Sequence, residues 1–204
     1  MAELVGFDAR RLYQVSQVHG KIVVLAEGDP ADVSRIEADA LFAHGGSGAV
    51  VGVRVADCVP ILMGDPDSGA VAAIHAGWKG IVAEVVQSAF LQVAIASPRA
   101  VVDLSRFVAA IGACIGACCF EVGVDVAQQI MAAAKDAPVI ARQVDAKAFV
   151  DLRAAVRAQL LALGLDDANI EDVPGCTKCD AARFHSYRRD AAESGRSLAV
   201  IRAK

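Results

Sequence analysis

Apolar residues gather into short runs separated by polar, Gly and Pro punctuation, and two of those runs lie side by side. Val50 to Met63 and Ala70 to Ala76 are almost continuous in Val, Ile, Leu, Met and Ala, with Asp65-Pro66-Asp67-Ser68-Gly69 between them. Apolar runs of this length bounded by turn residues predict buried strands, and the Pro and Gly between them predict a hairpin. Lys21 to Ala26, Ala38 to Phe42, Phe107 to Ile115, Asn169 to Val173 and Ser197 to Ile201 read as further strands. The spacing changes at Ile81, Val82, Val85, Val86, Ala89, Phe90 and Val93, which predicts a helix from Ile81 to about Ile95 with Pro98 marking its end. Val124 to Lys135, opened by Asp125, and Phe149 to Leu163, stopped by Gly164, predict two more helices. Strands cluster early and helices are interspersed irregularly, so the fold class is α+β, a mixed α/β arrangement rather than strict βαβ alternation.

Composition narrows this further. The chain has 204 residues, 55% of them apolar, enough for one substantial core and a single domain spanning 1–204. A net charge of −4 argues against nucleic acid as a partner. The longest uncharged run, Phe107 to Phe120, is too short and too Gly-punctuated to span a membrane. Six Cys raise the question of disulfides, but Met1-Ala2-Glu3 does not open a signal peptide. A reduced cytoplasmic protein is expected, in which Cys serves as core residue, ligand or nucleophile. The Gly-rich pieces match neither a dinucleotide fingerprint nor a P-loop.

Chemistry concentrates on the hairpin. Cys58 lies on its first strand and His75 on its second, and His19 stands upstream in Gln17-Val18-His19-Gly20 at a strand entrance. Two imidazoles and a thiolate suit a three-ligand metal site with an open fourth position, as catalytic zinc requires. Spacing alone leaves the plainer reading open: a buried Cys and a hydrogen-bonded His. Asp57 precedes Cys58 and is a candidate general base or structural acceptor. Lys79, Arg188, Arg189 and Arg196 are candidates to hold an anion such as phosphate. Trp78, the single Trp, could stack on a flat substrate or fill core. Cys118 and Cys119 sit near a strand–helix junction as packing residues or a nucleophile. Cys176-Thr177-Lys178-Cys179 is a Cys-x-x-Cys, and no second pair has the spacing of a structural zinc site.

Taken in order, Gln17-Val18-His19-Gly20, Ala56-Asp57-Cys58-Val59-Pro60, His75-Ala76-Gly77-Trp78-Lys79-Gly80, Ile115-Gly116 through Phe120-Glu121-Val122-Gly123, and Ser186-Tyr187-Arg188-Arg189-Asp190 up to Gly195-Arg196 resemble one family. It is known both as laccase-like multicopper polyphenol oxidases and as purine nucleoside phosphorylases. The resemblance runs from about residue 15 to the C-terminus. It implies a β-rich core of mixed sheets flanked by helices, shared with cysteine-hydrolase-like toxins. It implies that His19, Cys58 and His75 bind the metal, zinc with copper as the alternative. It also implies phosphorolysis of adenosine, inosine and methylthioadenosine together with adenosine deamination. On that reading Asp57, Cys58, His75 and Arg188 are catalytic, and Lys79, Arg188 and Arg189 bind substrate or phosphate. The partners are small molecules, with neither nucleic acid nor membrane; the oligomeric state is left open. Members of the family usually carry a further Gly-rich, Asn-containing segment ahead of Gln-Val-His-Gly that helps build the substrate site, and this chain is expected to lack it. Ala113 and Ala117 stand where the family often has Pro, and Ala191-Ala192-Glu193 replaces a Gly-rich approach to Gly195-Arg196.

Three alternatives stand beside the nucleoside enzyme. A copper oxidase of phenols would need more imidazoles than the four His available, and Met63 is the nearest candidate axial ligand. A cysteine hydrolase would pair Cys58 with His75. An inactive binding protein would keep the pocket without turnover.

Overall fold

The computed structural model describes residues 6–96 and 103–204. The sequence readings at Met1-Ala2-Glu3 and Pro98 fall outside them. Twelve strands form three sheets among the described residues. The largest uses β2 (Val23–Leu25), β3 (Ala40–Ala43), β5 (Val59–Gly64), β6 (Val71–Ala76), β7 (Val108–Ile111) and β11 (Ile170–Asp172). Their order is β11-β7-β5-β6-β3-β2, antiparallel except for the parallel outer pairs β2–β3 and β7–β11. A second sheet joins β1 (Leu12–Tyr13), β4 (Val50–Val55) and β12 (Ser197–Arg202), and a third joins β8 (Glu121–Gly123), β10 (Lys147–Val150) and β9 (Ile140–Val144).

Period-two alternation explains the layering. In β3 and β6, Ala40, Phe42, Ala72 and Ile74 pack into one core with Ile61 and Met63 of β5. Leu41, Ala43, Val71 and Ala73 pack into another with Val51 and Val53 of β4. Successive side chains of a strand point to opposite faces, so the central sheet is buried on both sides and reads as continuous apolar sequence. The first core is covered by α3 (Val85–Ile95), α4 (Val124–Ala133) and α5 (Leu152–Ala162). The second lies between the central sheet and the β1-β4-β12 sheet. Smaller helices are α1 (Pro30–Val33), α2 (Trp78–Val82) and α6 (Tyr187–Asp190). No described helix is long and apolar enough to cross a membrane.

The mixed α/β class expected from the sequence is the one found, and the Asp65–Gly69 hairpin joins β5 to β6 with Ile61 opposite Ile74. The strand expected from Phe107 to Ile115 is shorter, with β7 ending at Ile111, the one from Lys21 to Ala26 shrinks to β2, and three larger differences remain. The run from Val50 to Met63 is two strands in different sheets, broken at Ala56-Asp57-Cys58, where Asp57 takes φ +91°. The helix after Gly77 is also two pieces, broken at Ala83-Glu84, where Glu84 takes φ +63°. Phe149 belongs to β10 rather than a helix, because Asp151 caps α5 by accepting the Ala154 N–H at 3.0 Å. β8, β9 and β10, a small antiparallel sheet, were not legible as strands.

Candidate metal centre

The hairpin register decides where the donors meet. Pro60 faces His75 and Val59 faces Ala76, so Cys58, one residue ahead of β5, lies beside the Gly77 turn. Cys58 and His75 both continue the even- and odd-numbered faces, respectively, that look toward the β1-β4-β12 sheet. Leu62 and Ala73 mark those faces in the second core. His19 arrives from the segment before β2 with φ +63°, and its ring stands edge-on to that of His75 with centroids 4.8 Å apart. The donor atoms of His19, Cys58 and His75 all lie within 4.8 Å of one another, with Cys58 Sγ 3.8 Å from His19 Nε2. A Cβ at Gly77 would come within 2.8 Å of His19 Cδ2 and 3.1 Å of Cys58 Sγ, so the turn needs a residue without a side chain.

Asp39, fully buried at the start of β3, organises this cluster. One carboxylate oxygen lies 2.8 Å from His75 Nδ1 and accepts the His19 backbone N–H at 2.8 Å. The other accepts from the backbone N–H groups of Gly20 and Val18. With Nδ1 engaged by the carboxylate, His75 presents Nε2 to the cluster, the arrangement by which carboxylates orient histidine ligands. Burial pushes the Asp39 pKa up, but bonds from His75, Gly20 and His19 outweigh it and hold the carboxyl below its usual range. Burial lowers the pKa of His19, with the His75 charge adding, which favours the neutral imidazole that a metal needs. Cys58 is crowded by protein, and desolvation, with Asp57 and Asp39 adding, pushes its thiol up to about 12. The protein surroundings alone therefore do not make a thiolate nucleophile; a cation would. Two borderline nitrogens and one sulfur, with an oriented histidine, fit a zinc or copper ion.

A cleft of about 790 Å³ opens over the cluster, lined by His19, Cys58 and His75 with Arg54, Trp78, Phe120, Tyr187, Arg188 and Arg196, among others. It combines three aromatic faces with three guanidinium groups. Arg188 reaches the Glu121 carbonyl at 3.1 Å and lies over the Phe120 ring, and Arg196 lies over the Tyr187 ring. Asp57 also lines the cleft, but its carboxylate is taken up: Oδ1 accepts the Thr177 hydroxyl at 2.7 Å and Oδ2 accepts the Arg188 backbone N–H at 2.6 Å. Those two bonds match the structural-acceptor reading of Asp57, one of the two the sequence left open. The Arg189 guanidinium bonds the carbonyls of Thr177, Lys178 and Phe184 and both oxygens of Asp190. It is absent from the cleft lining, and these bonds brace the loops around it. Lys79 lies beside the Trp78 ring, 5.8 Å from its centroid, and near enough to His19 to affect its protonation. The remaining histidines are elsewhere: His44 packs edge-on against Phe42, and a Cβ at Gly195 would strike the His185 ring. Sequence reasoning passed over Asp39, Arg54 and Thr177. Asp39 had one signal available, an acidic residue inside an apolar strand.

A family model described as multi-copper polyphenol oxidoreductase laccase matches residues 1–204. A protein named adenosine deaminase RL5, from an unknown prokaryotic organism, is 35% identical over all of this chain and 79% of its own length. A purine nucleoside phosphorylase of Deinococcus radiodurans is 36% identical over 98% of this chain and 74% of its own length. The crystal structure of YlmD from Geobacillus stearothermophilus superposes with a TM-score of 0.85 at 29% identity, covering all of this chain and 77% of that one. The chain therefore belongs to the multi-copper polyphenol oxidoreductase laccase family.

Proposed function

We propose that this protein is a metal-dependent purine nucleoside enzyme. It would phosphorolyse adenosine, inosine and methylthioadenosine and deaminate adenosine, with His19, Cys58 and His75 holding one zinc ion. The single observation that carries the reading is the convergence of those three donors at the base of a cleft walled by aromatic rings and guanidinium groups. The relatives named adenosine deaminase and purine nucleoside phosphorylase support the substrate class. We also infer that residues 1–204 act as one domain, since the cleft draws on segments from Ser16 to Arg196.

Zinc bound there supplies a Lewis acid and brings a water pKa toward neutrality. Everything else falls to the chain. Trp78, Phe120 and Tyr187 offer faces against which a purine can stack. Arg188 and Arg196 line the cleft and offer cationic donors for phosphate, and Lys79, outside the lining, is close enough to His19 to affect its protonation. Asp57 fixes the Arg188 backbone, and Asp39 fixes the His75 tautomer. In phosphorolysis a phosphate oxygen bonds to C1′ of the ribose as the C1′–N9 bond breaks, and the purine leaves with that electron pair and takes a proton. In deamination a water oxygen replaces the amine at C6, and ammonia departs.

The copper-oxidase reading has less support. Of the four His, two line the cleft. Met63, the candidate axial ligand, is buried in the helix-covered core, on the opposite face from Cys58 and His75. The cysteine-hydrolase reading draws on the same Cys58 and His75, and there burial, which pushes the Cys58 thiol up, works against a free thiolate.

The test is metal analysis of protein purified without added metal, followed by turnover of adenosine with and without phosphate. Metal at the site that disappears in His75→Ala, free base that forms only with phosphate, and inosine that forms without it are expected. Base and free ribose released equally in water would replace phosphorolysis with hydrolysis. Several copper ions per chain would defeat the zinc assignment.

A further inference from the structure

A second group of ligands stands apart from the cleft, and nothing in the proposed activity uses it. Cys118 and Cys119 lie in the turn after Gly116, and Cys176 and Cys179 lie in the loop after β11. All four sulfurs fall within 4.8 Å of one another, with Cys119 Sγ 3.3 Å and Cys118 Sγ 3.7 Å from Cys179 Sγ. A disulfide would need about 2.05 Å. Four thiolates around zinc at about 2.3 Å would lie about 3.8 Å apart along each tetrahedral edge, close to the spacings seen. From these distances we propose that Cys118, Cys119, Cys176 and Cys179 form a structural zinc site of four thiolates, separate from His19, Cys58 and His75.

The backbone is arranged for it. The Gly116 N–H points at Cys176 Sγ at 3.2 Å, and the Cys179 N–H also bonds that sulfur. Such N–H donors stabilise a sulfur that carries negative charge. The turns are held before any ligand arrives: Cys119 and Phe120 donate to the Gly116 carbonyl, Thr177 donates to the Cys114 carbonyl, and Asp180 donates to the Cys176 carbonyl. A Cβ at Gly116 would lie 3.2 Å from the Cys176 Cβ and 3.3 Å from Cys118 Sγ, so the two cysteine turns close over a glycine. Cys114, one strand bridge away, is buried and outside the group. Sequence spacing offered Cys176 and Cys179 no partner pair, because the pair that the fold brings to them, Cys118 and Cys119, is adjacent in sequence, a spacing no standard zinc pattern describes.

The site would clamp two segments that build the cleft. Phe120 follows Cys119, and Thr177, between Cys176 and Cys179, bonds Asp57. Zinc there would brace the cleft wall without touching substrate.

The experiment uses the full chain purified anaerobically with zinc in the medium. In the variant His19→Ala/His75→Ala, which removes the first ligand set, about one zinc per chain should remain. It should fall away on adding Cys179→Ser. Cobalt loaded into that double-histidine variant should give thiolate-to-metal absorption that Cys179→Ser weakens. Should the histidine variant fail to fold, native mass spectrometry of the wild type serves: two zinc ions are expected, and one after Cys118→Ser/Cys119→Ser. A fully reduced, folded histidine variant without zinc, whose four thiols alkylate equally fast with and without added zinc, would overturn the proposal. So would a Cys119–Cys179 disulfide in the anaerobic protein. Neither result would bear on the nucleoside reading, which rests on the other ligand set.

Discussion

Asp39 shows how much a single buried carboxylate settles. It bonds one proposed ligand through a ring nitrogen and another through its backbone, so it fixes both at once. Asp39→Asn should lower zinc affinity about 10–100-fold, as loss of such partners does elsewhere. Competition against a chromophoric chelator measures this, and unchanged affinity would refute the orienting role. Asp57 carries a different expectation. Asp57→Ala leaves the Thr177 hydroxyl and the Arg188 N–H without their acceptor, which should cost about 1–3 kcal/mol in urea unfolding. The zinc at His19, Cys58 and His75 should stay bound. Loss of that zinc in Asp57→Ala would mean that the carboxylate acts on the metal directly.

Turns and strand ends carry the next set of constraints. Gly77→Ala would push a methyl into His19 and Cys58 at 2.8 and 3.1 Å, and both neighbours are proposed ligands that would have to shift. We expect a folded protein whose metal affinity falls at least about tenfold, because coordination tolerates shifts of only about 0.2 Å. Glu84 is the opposite case. It holds φ +63° between two helix pieces, and its ion pair with Lys135 joins half-exposed groups at 3.3 Å. Exposed pairs contribute little, while a left-handed non-glycine residue costs about 1 kcal/mol or more. Glu84→Gly should therefore raise stability by about 0.5–1 kcal/mol in chemical denaturation, and a net loss would show that the ion pair matters more. These same positions explain what was legible in the sequence. The hairpin was readable because Pro66 and Gly69 stand where the turn requires them. The breaks at Asp57 and Glu84 were not, because both adopt positive φ without a Gly to announce it. The β9–β10 hairpin was hidden likewise, its turn made by Asp145 at φ +51° and its β9 residues mostly exposed. For the site, residue type and the hairpin offered His19, Cys58 and His75 as candidates, and only the family resemblance chose a metal centre over plain packing. The roles of Asp39 and Thr177 exist only in contacts across 36 and 120 residues, so the sequence offered nothing for Thr177 and, for Asp39, only an acid inside an apolar strand.

Chain topology ties the cleft to the stability of the whole molecule. β1 and β12, near opposite ends of the chain, both pair with β4, which leads through Asp57 into Cys58. His19 follows β1 and Arg188 lies in the last loops, and both line the cleft, so a ligand joining them crosslinks segments far apart in sequence. An ion that binds the folded but not the unfolded chain stabilises it by about 2.7 kcal/mol when its free concentration is 100 times Kd. For a chain of this size that corresponds to about 5–10 °C in Tm. A strong chelator, which strips both ions, should lower the wild-type Tm by more than that single-ion figure. The shift in His19→Ala/His75→Ala should be smaller but not zero, the remainder belonging to zinc held by the four cysteines. Equal shifts in both proteins would mean that the histidine site adds nothing to the fold. A shift that vanishes in the variant would remove the second zinc from the account. Scanning calorimetry of the two proteins, each with and without chelator under reducing conditions, separates these outcomes because the ligand sets share no residue.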